Sequence, residues 1–256
     1  MLSLVCWSLA ISLVINGLMF LVAFRLKSDK LTDASYAITF MVLALYALTR
    51  SSSVAYDILG VSMVCLWALR IGGFLLYRVL QSGSDRRFDG MREHFLQFGK
   101  FWLGQALTVW VVMLPATLAF SKAETGHKLA VIGIALWCTG FIIESIADFQ
   151  KYHFAHDPKH KGHWIDSGIW RYSRHPNYFG EIMVWISIYI YAFTALTATE
   201  RLIGLVSPLF ITLLLLFVSG IPILERSADK RWGSVSAYQT YKQHTSILIP
   251  LPKNKS

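Results

Sequence analysis

Seven stretches of this chain are more suited to lipid than to water. A helix needs about 20 mostly apolar residues to cross the hydrocarbon core of a bilayer. Residues 2–24, 34–49, 57–80, 101–120, 129–149, 178–198 and 202–224 fit that description, the second being short. Between them lie short connections, except at 81–100 and 150–177, and the tail after Leu224 is polar. The expectation is an all-α integral membrane protein of seven transmembrane helices in a single domain, 1–256. Only 15% of the residues are charged, where a soluble domain carries about a quarter. The first run exceeds the apolar core of a signal peptide, about 7–15 residues, and no small-residue cleavage site follows it. It reads as a span.

The charges sort by side. With the N-terminus outside, 19 of the 24 Lys and Arg fall in inside loops and four outside: Arg50, Lys122, Lys128 and Arg201. Arg70 lies within the third run. That asymmetry places the C-terminus in the cytosol by the positive-inside rule and favours an odd number of spans. It also accounts for the net charge of +9 without nucleic acid as a partner. Cys6, Cys65 and Cys138 lie in apolar runs and form no CxxC pair, so neither a disulfide framework nor a zinc site is suggested. His153, His156, His160 and His163 share one hydrophilic loop without a second ligand cluster, and no metal is expected there.

Polar residues at the span ends gather on the cytosolic side. Glu144 and Asp148 are four apart, as are Asn177 and Glu181, so each pair shares a helix face. Glu225 and Arg226 end the last run, and Tyr238 and Tyr241 sit three apart on a short tail helix. The 150–177 loop adds Lys151, Arg171, Tyr172, Arg174 and His175. Cations with a few fixed carboxylates and aromatic rings suit a nucleotide, since guanidinium and ammonium groups neutralise phosphate. No GxGxxG follows a strand, so any dinucleotide is held by helices and loops. The competing structural reading is that these cations are ordinary inside-loop residues.

The segment Gly168-Ile-Trp-Arg-Tyr-Ser-Arg-His-Pro-Asn-Tyr-Phe-Gly-Glu181 resembles the membrane steroid 5α-reductase family, in particular its bacterial branch. Trp67-Ala-Leu-Arg70 with Tyr77-Arg78, Asp85-Arg-Arg-Phe-Asp-Gly-Met-Arg92, Asp148-Phe-Gln-Lys151 and Pro222-Ile-Leu-Glu225 agree with it, as does the Ile249-Pro250 ending. Isoprenylcysteine carboxyl methyltransferases and sterol C14 and C7 reductases have related Arg-His-Pro-Asn-Tyr cores.

The resemblance implies NADPH as cofactor, a multi-pass protein of a bacterial inner membrane (the endoplasmic reticulum in a eukaryote), and a steroid-like substrate taken from membrane lipid, with the chain acting as a monomer. The implied reaction reduces the carbon–carbon double bond of a 3-oxo-Δ4 steroid: hydride reaches C5, a donor polarises the C3 carbonyl, and the enolate is protonated at C4. Developing charge on that oxygen calls for a preorganised donor in a dry pocket. Spans one to four would hold the lipid, entering sideways past aromatics such as Phe40, Tyr46, Phe74 and Tyr77, and spans five to seven with the tail would hold the cofactor.

Residue by residue, Asp148, Asn177 and Glu181 match cofactor-binding positions. Lys151, Arg171, Tyr172, Arg174, His175 and Tyr178 lie in or beside the same motifs, and Arg226 or Arg231 with Tyr238 and Tyr241 would close the site from the tail. Glu144 stands where the family has Asn. The polarising Glu and Tyr of the animal enzymes find Asp33 and Trp67 at the same separation, with Tyr36 as a possible source of the missing hydroxyl, because an indole N–H donates without transferring a proton. Asp33 is equally suited to cap the second span. The rival activity is an S-adenosylmethionine-dependent membrane methyltransferase; a transporter would show internal repeats, and none is seen.

Overall fold

The structure is a computed structural model that describes residues 2–50, 54–82, 88–120, 122 and 127–252. It is all-helical, 81% helix, with no strand among the described residues, and so meets the demand of lipid that backbone polar groups bond within their own segment. The helices are α1 (Leu2–Arg25), α2 (Thr32–Leu48), α3 (Val54–Ser82), α4 (Phe95–Ala119), α5 (His127–His156), α6 (Pro176–Ala192), α7 (Ala198–Leu213), α8 (Ile221–Trp232) and α9 (Ser236–His244). Among the described residues, six stretches are long and apolar enough to cross a membrane: Leu2–Arg25, Asp57–Gln81, Phe95–Ala119, Leu129–His156, Pro176–Ala195 and Ala198–Trp232. The short second run forms α2, whose 17 residues fall below that length.

The seventh run is not one α-helix. After α7 the backbone widens into a π-turn at Leu214–Val218, breaks at Ser219 and Gly220, and restarts as α8 with Pro222 in its first turn. Glycine is required at the break. A Cβ on Gly220 would lie 2.4 Å from the Leu215 carbonyl oxygen and 3.0 Å from the Tyr178 ring.

Contacts divide the chain into two compact units, residues 1–133 with 188–207 and residues 134–187 with 208–256. In the first, α1 turns its polar side inward. Its buried residues are Ser8, Ser12, Asn16, Phe20 and Ala23, while Leu13, Leu18 and Leu21 are exposed. Ser12 Oγ donates to the Ala106 carbonyl at 2.8 Å. Gln105 Nε2 donates to Asn16 Oδ1 at 2.9 Å, and Asn16 Nδ2 donates to Thr39 Oγ1 at 3.2 Å. These bonds tie α1, α2 and α4 where no hydrophobic force acts between helices in lipid. Below them Phe20, Phe88, Phe98 and Trp102 form an aromatic cluster. Buried Asp29 pairs with Arg92 at 3.0 Å, so the end of the Asp85–Arg92 motif fastens one loop to another; residues 85–87 of that motif lie outside the described residues.

In the second unit α5 and α6 touch backbone to backbone. A Cβ on Gly140 would lie 2.8 Å from the Gly180 carbonyl oxygen, and one on Gly180 would lie 2.7 Å from the Glu144 nitrogen. Small residues allow this approach.

Candidate functional site

The second unit holds a cavity of about 440 Å³. Its wall begins at the last turns of α5, with Lys151 and Phe154, and passes through the 160–165 loop, Trp170, Arg174 and His175 to α8 and α9. Gly168 has φ +59°, and a Cβ there would strike the Gln150 side chain. That turn lets Gln150 Oε1 accept from the Ile169 N–H at 3.0 Å, while Trp170 Nε1 donates to the Ala147 carbonyl at 3.1 Å. The loop is thereby pinned onto α5. On the other side Trp232 Nε1 donates to the Gly162 carbonyl at 2.7 Å, holding the 160–165 loop against α8.

Glu225 is the hub of the polar wall. His175 Nε2 lies 2.9 Å from its Oε1, Arg174 Nη1 3.1 Å from its Oε2, and Lys242 Nζ 3.5 Å from Oε2. A carboxylate only accepts, so the His175 Nε2 carries the proton. The Arg174 contact has ion-pair distance but not hydrogen-bond alignment. Burial pushes the His175 pKa down, with the Glu225 bond opposing that in part. The imidazole is therefore neutral in the fold, and its buried Nδ1 is an acceptor with no partner in the protein. The buried Trp164 Nε1 is likewise a donor without one.

Aromatic rings make the rest of the wall. Trp164 lies 5.2 Å from Tyr238 and 6.2 Å from Trp232 between centroids. Burial raises both tail phenols, Tyr238 to about 12 and Tyr241 further. Tyr241 donates to the Trp170 carbonyl at 2.9 Å. Among the described residues the lining holds one carboxylate, Glu225, against Lys151, Lys161, Arg174 and Arg231, so the cavity is net cationic.

The residues singled out in the sequence divide into groups. Lys151, Arg174, His175, Arg231, Tyr238 and Tyr241 line the cavity. Asp148 and Asn177 meet across the α5–α6 seam, where Asn177 Nδ2 donates to Asp148 Oδ1 at 3.2 Å and leaves Asn177 Oδ1 buried and unpartnered. Glu144 is buried against Gly180 in the same seam, and Glu181 and Tyr178 are half-buried on α6, Tyr178 stacked on His175. Arg171, Tyr172 and Arg226 are exposed and do not line the cavity; Arg226 bonds back to its own helix at Pro222. Trp164, Trp232 and the loop histidines His160 and His163 line it without having been expected as ligand contacts.

In the first unit Tyr36 and Trp67 come together, with Phe40 between them at 4.9 and 5.1 Å from the two rings. Asp33 does not cap α2. Leu31 holds the N-cap position, and Asp33 sits one residue inside Thr32, where a carboxylate still favours the helix dipole. The α2 start lies deep along α3: a Cβ on Gly72 would be 2.4 Å from the Ala37 Cβ and 4.0 Å from the Asp33 carbonyl oxygen. Trp67 is five residues from Gly72, about 8 Å along the axis, so Asp33 and Trp67 are neighbours in depth.

No curated protein and no solved structure matches the chain. The family described as protein of unknown function (DUF1295) matches residues 19–245, nearly the full length and both units. The chain belongs to that family of membrane proteins, which is related to the steroid 5α-reductases.

Proposed function

We propose that this protein is a membrane-embedded NADPH-dependent reductase of the carbon–carbon double bond of a 3-oxo-Δ4 steroid or a similar lipophilic enone. The observation that carries the reading is the net-cationic, aromatic-walled cavity of the second unit. Lys151, Lys161, Arg174 and Arg231 suit phosphate oxygens, and the one carboxylate is already engaged by three cationic or imidazole groups. Of the cavity-lining groups, the unpartnered Trp164 Nε1 and His175 Nδ1 are a donor and an acceptor that a polar ligand with ribose hydroxyls and a carboxamide can satisfy. The residues present therefore fit the dinucleotide. When bound it supplies hydride to the substrate.

The chain's own share is position and field. The cations hold phosphates, and the tryptophans and tyrosines shield the site from water. In the first unit the Tyr36–Phe40–Trp67 triad offers an apolar wall of the kind that strengthens a hydrogen bond to a developing enolate. Asp33 and Tyr36 are the proposed carbonyl donors there. We also take α2 as a seventh crossing, with the N-terminus outside and the C-terminus in the cytosol, on the strength of the Lys and Arg distribution.

A methyltransferase would bind S-adenosylmethionine, which carries a sulfonium cation and no phosphate, and a net-cationic wall does not favour it. The test is thermal unfolding of the purified protein with each nucleotide. NADPH at 100 times its Kd should stabilise by about 2.7 kcal/mol, NADH less, and S-adenosylmethionine not at all. Replacing Lys151 and Arg231 by Gln should abolish the NADPH shift while leaving unliganded unfolding nearly unchanged. A shift with S-adenosylmethionine alone would sink the proposal. Product mass after incubation with NADPH and a 3-oxo-Δ4 steroid tests the chemistry itself.

A further inference from the structure

After α9 the chain bends through 247–249 as a strap bonded to the residues just before α6. The Arg174 N–H donates to the Ser246 carbonyl at 2.8 Å, Ser173 Oγ to the Leu248 carbonyl at 2.6 Å, and the Leu251 N–H to the Tyr172 carbonyl at 3.1 Å. The strap carries Ile247, Ile249 and Leu251, exposed by 44, 52 and 53%. Three large aliphatic side chains in a row, on a strap that is bonded along its backbone, are costly to leave in water.

The depth of the strap says what covers them. α6 starts at Pro176 and begins a stretch apolar enough to span a membrane. Tyr172, Ser173 and Arg174 are within four residues of that start, at most about 14 Å of chain. The strap is thus tied beside the end of a stretch apolar enough to span a membrane, the end at which a headgroup layer begins. Its neighbours have the composition of an interfacial contact: Tyr172 is 39% exposed, and the exposed Arg171 guanidinium lies 5.5 Å above the Tyr172 ring.

We propose that the 246–251 strap is a membrane-interface anchor, with Ile247, Ile249 and Leu251 seated among acyl chains and the exposed Arg171 paired with anionic lipid headgroups. Apolar side chains beside a cation bind a lipid surface by burial and by attraction to anionic headgroups together. The proposal is independent of the reductase reading, because no nucleotide enters it.

The test uses the full chain in lipid nanodiscs, with Cys6, Cys65 and Cys138 replaced by alanine and a single fluorophore at Ile249→Cys. A second protein labelled at Leu251→Cys guards against local disruption by either substitution, and one labelled at the exposed loop position Lys159→Cys serves as the water-facing reference. Spin-labelled lipid should quench the strap probes several-fold more strongly than aqueous iodide, and the reverse should hold at position 159. Spin-labelled phosphatidylglycerol should quench the strap more than spin-labelled phosphatidylcholine, and Arg171→Gln should reduce that preference by up to about fivefold, the worth of one surface cation. Strap probes quenched by iodide instead would overturn the proposal. So would a disulfide between two copies of the unlabelled Ile249→Cys protein under mild oxidation, since the patch would then be a chain–chain contact. Equal quenching by the two lipids would overturn its headgroup half.

Discussion

Glu225 balances three partners at once, and the cost of losing it follows from that. Its side chain is 15% exposed and those of Arg174 and His175 are 11 and 6% exposed. Glu225→Ala leaves Arg174 without its counter-ion in a mostly desolvated place, which should cost about 3 kcal/mol and appear as a lower unfolding temperature in detergent. Glu225→Gln, which keeps an acceptor for His175, should cost less. His175 also sets a pH dependence. The unfolded chain titrates this group at about 6.5, whereas burial holds the folded-state value lower. Its stabilising contribution is fully present above the unfolded value. As pH falls below it, the unfolded chain takes up a proton that the fold refuses, and stability is lost until the lowered value is reached. Unfolding temperature measured from neutral pH downward should fall through this window, with Glu225, Lys151 and Arg174 facing the ring throughout. His175→Gln should flatten that part of the curve.

At the level of elements, the α5–α6 seam depends on two glycines whose neighbours are backbone atoms. A methyl on Gly180 would meet the Gly140 carbonyl oxygen and the Glu144 nitrogen at 2.7 Å, and neither can rotate away. Gly180→Ala should force the helices apart at a cost of about 1–3 kcal/mol, and should strain the Asn177–Asp148 bond one turn away. Thermal unfolding of that variant measures it, and a change below the error would show that the helices separate freely. The seam illustrates how far a sequence reading reaches. The spacing of Glu144 with Asp148 and of Asn177 with Glu181 shows that each pair shares a face, because helical periodicity is local. Which face meets which depends on Gly140 and Gly180, and a small residue in an apolar run carries no such label. Tyr238, Tyr241 and Glu225 were legible because polar groups at span ends stand out. Trp164 and Trp232 were not, since their meeting depends on one long-range bond to Gly162. The π-turn was hidden for another reason. It changes the backbone without changing the apolar character of 214–218, and Gly220 before Pro222 was its only outward sign.

For the whole molecule, charge and structure bear on different questions. Helix length and hydropathy in the structure select six spanning stretches, and α2 falls short of them. The Lys and Arg distribution separates cleanly only if α2 also crosses. A green fluorescent fusion at the C-terminus, expressed in bacteria, should fluoresce, and an alkaline phosphatase fusion at the same point should be inactive. The opposite pair of results would place the C-terminus outside and move the cationic cavity to that side. Arg50 and Arg201 give a second check: membrane-impermeant labels should reach cysteines placed at those positions from outside only.

The inward-facing polar stripe of α1 bears on how the protein is made. Ser8, Ser12 and Asn16 are mild enough for a run this apolar to leave the insertion machinery as an ordinary helix, before α4 exists to receive it. Its partner is then chosen by hydrogen bonds that form only when Ala106, Gln105 and Thr39 have arrived. A chain stalled before α4 would already join α1 to α2 through Asn16 and Thr39, but Ser12 would lack the Ala106 carbonyl that receives its hydroxyl. The polar stripe of the first unit is thus completed only when its fourth helix is made.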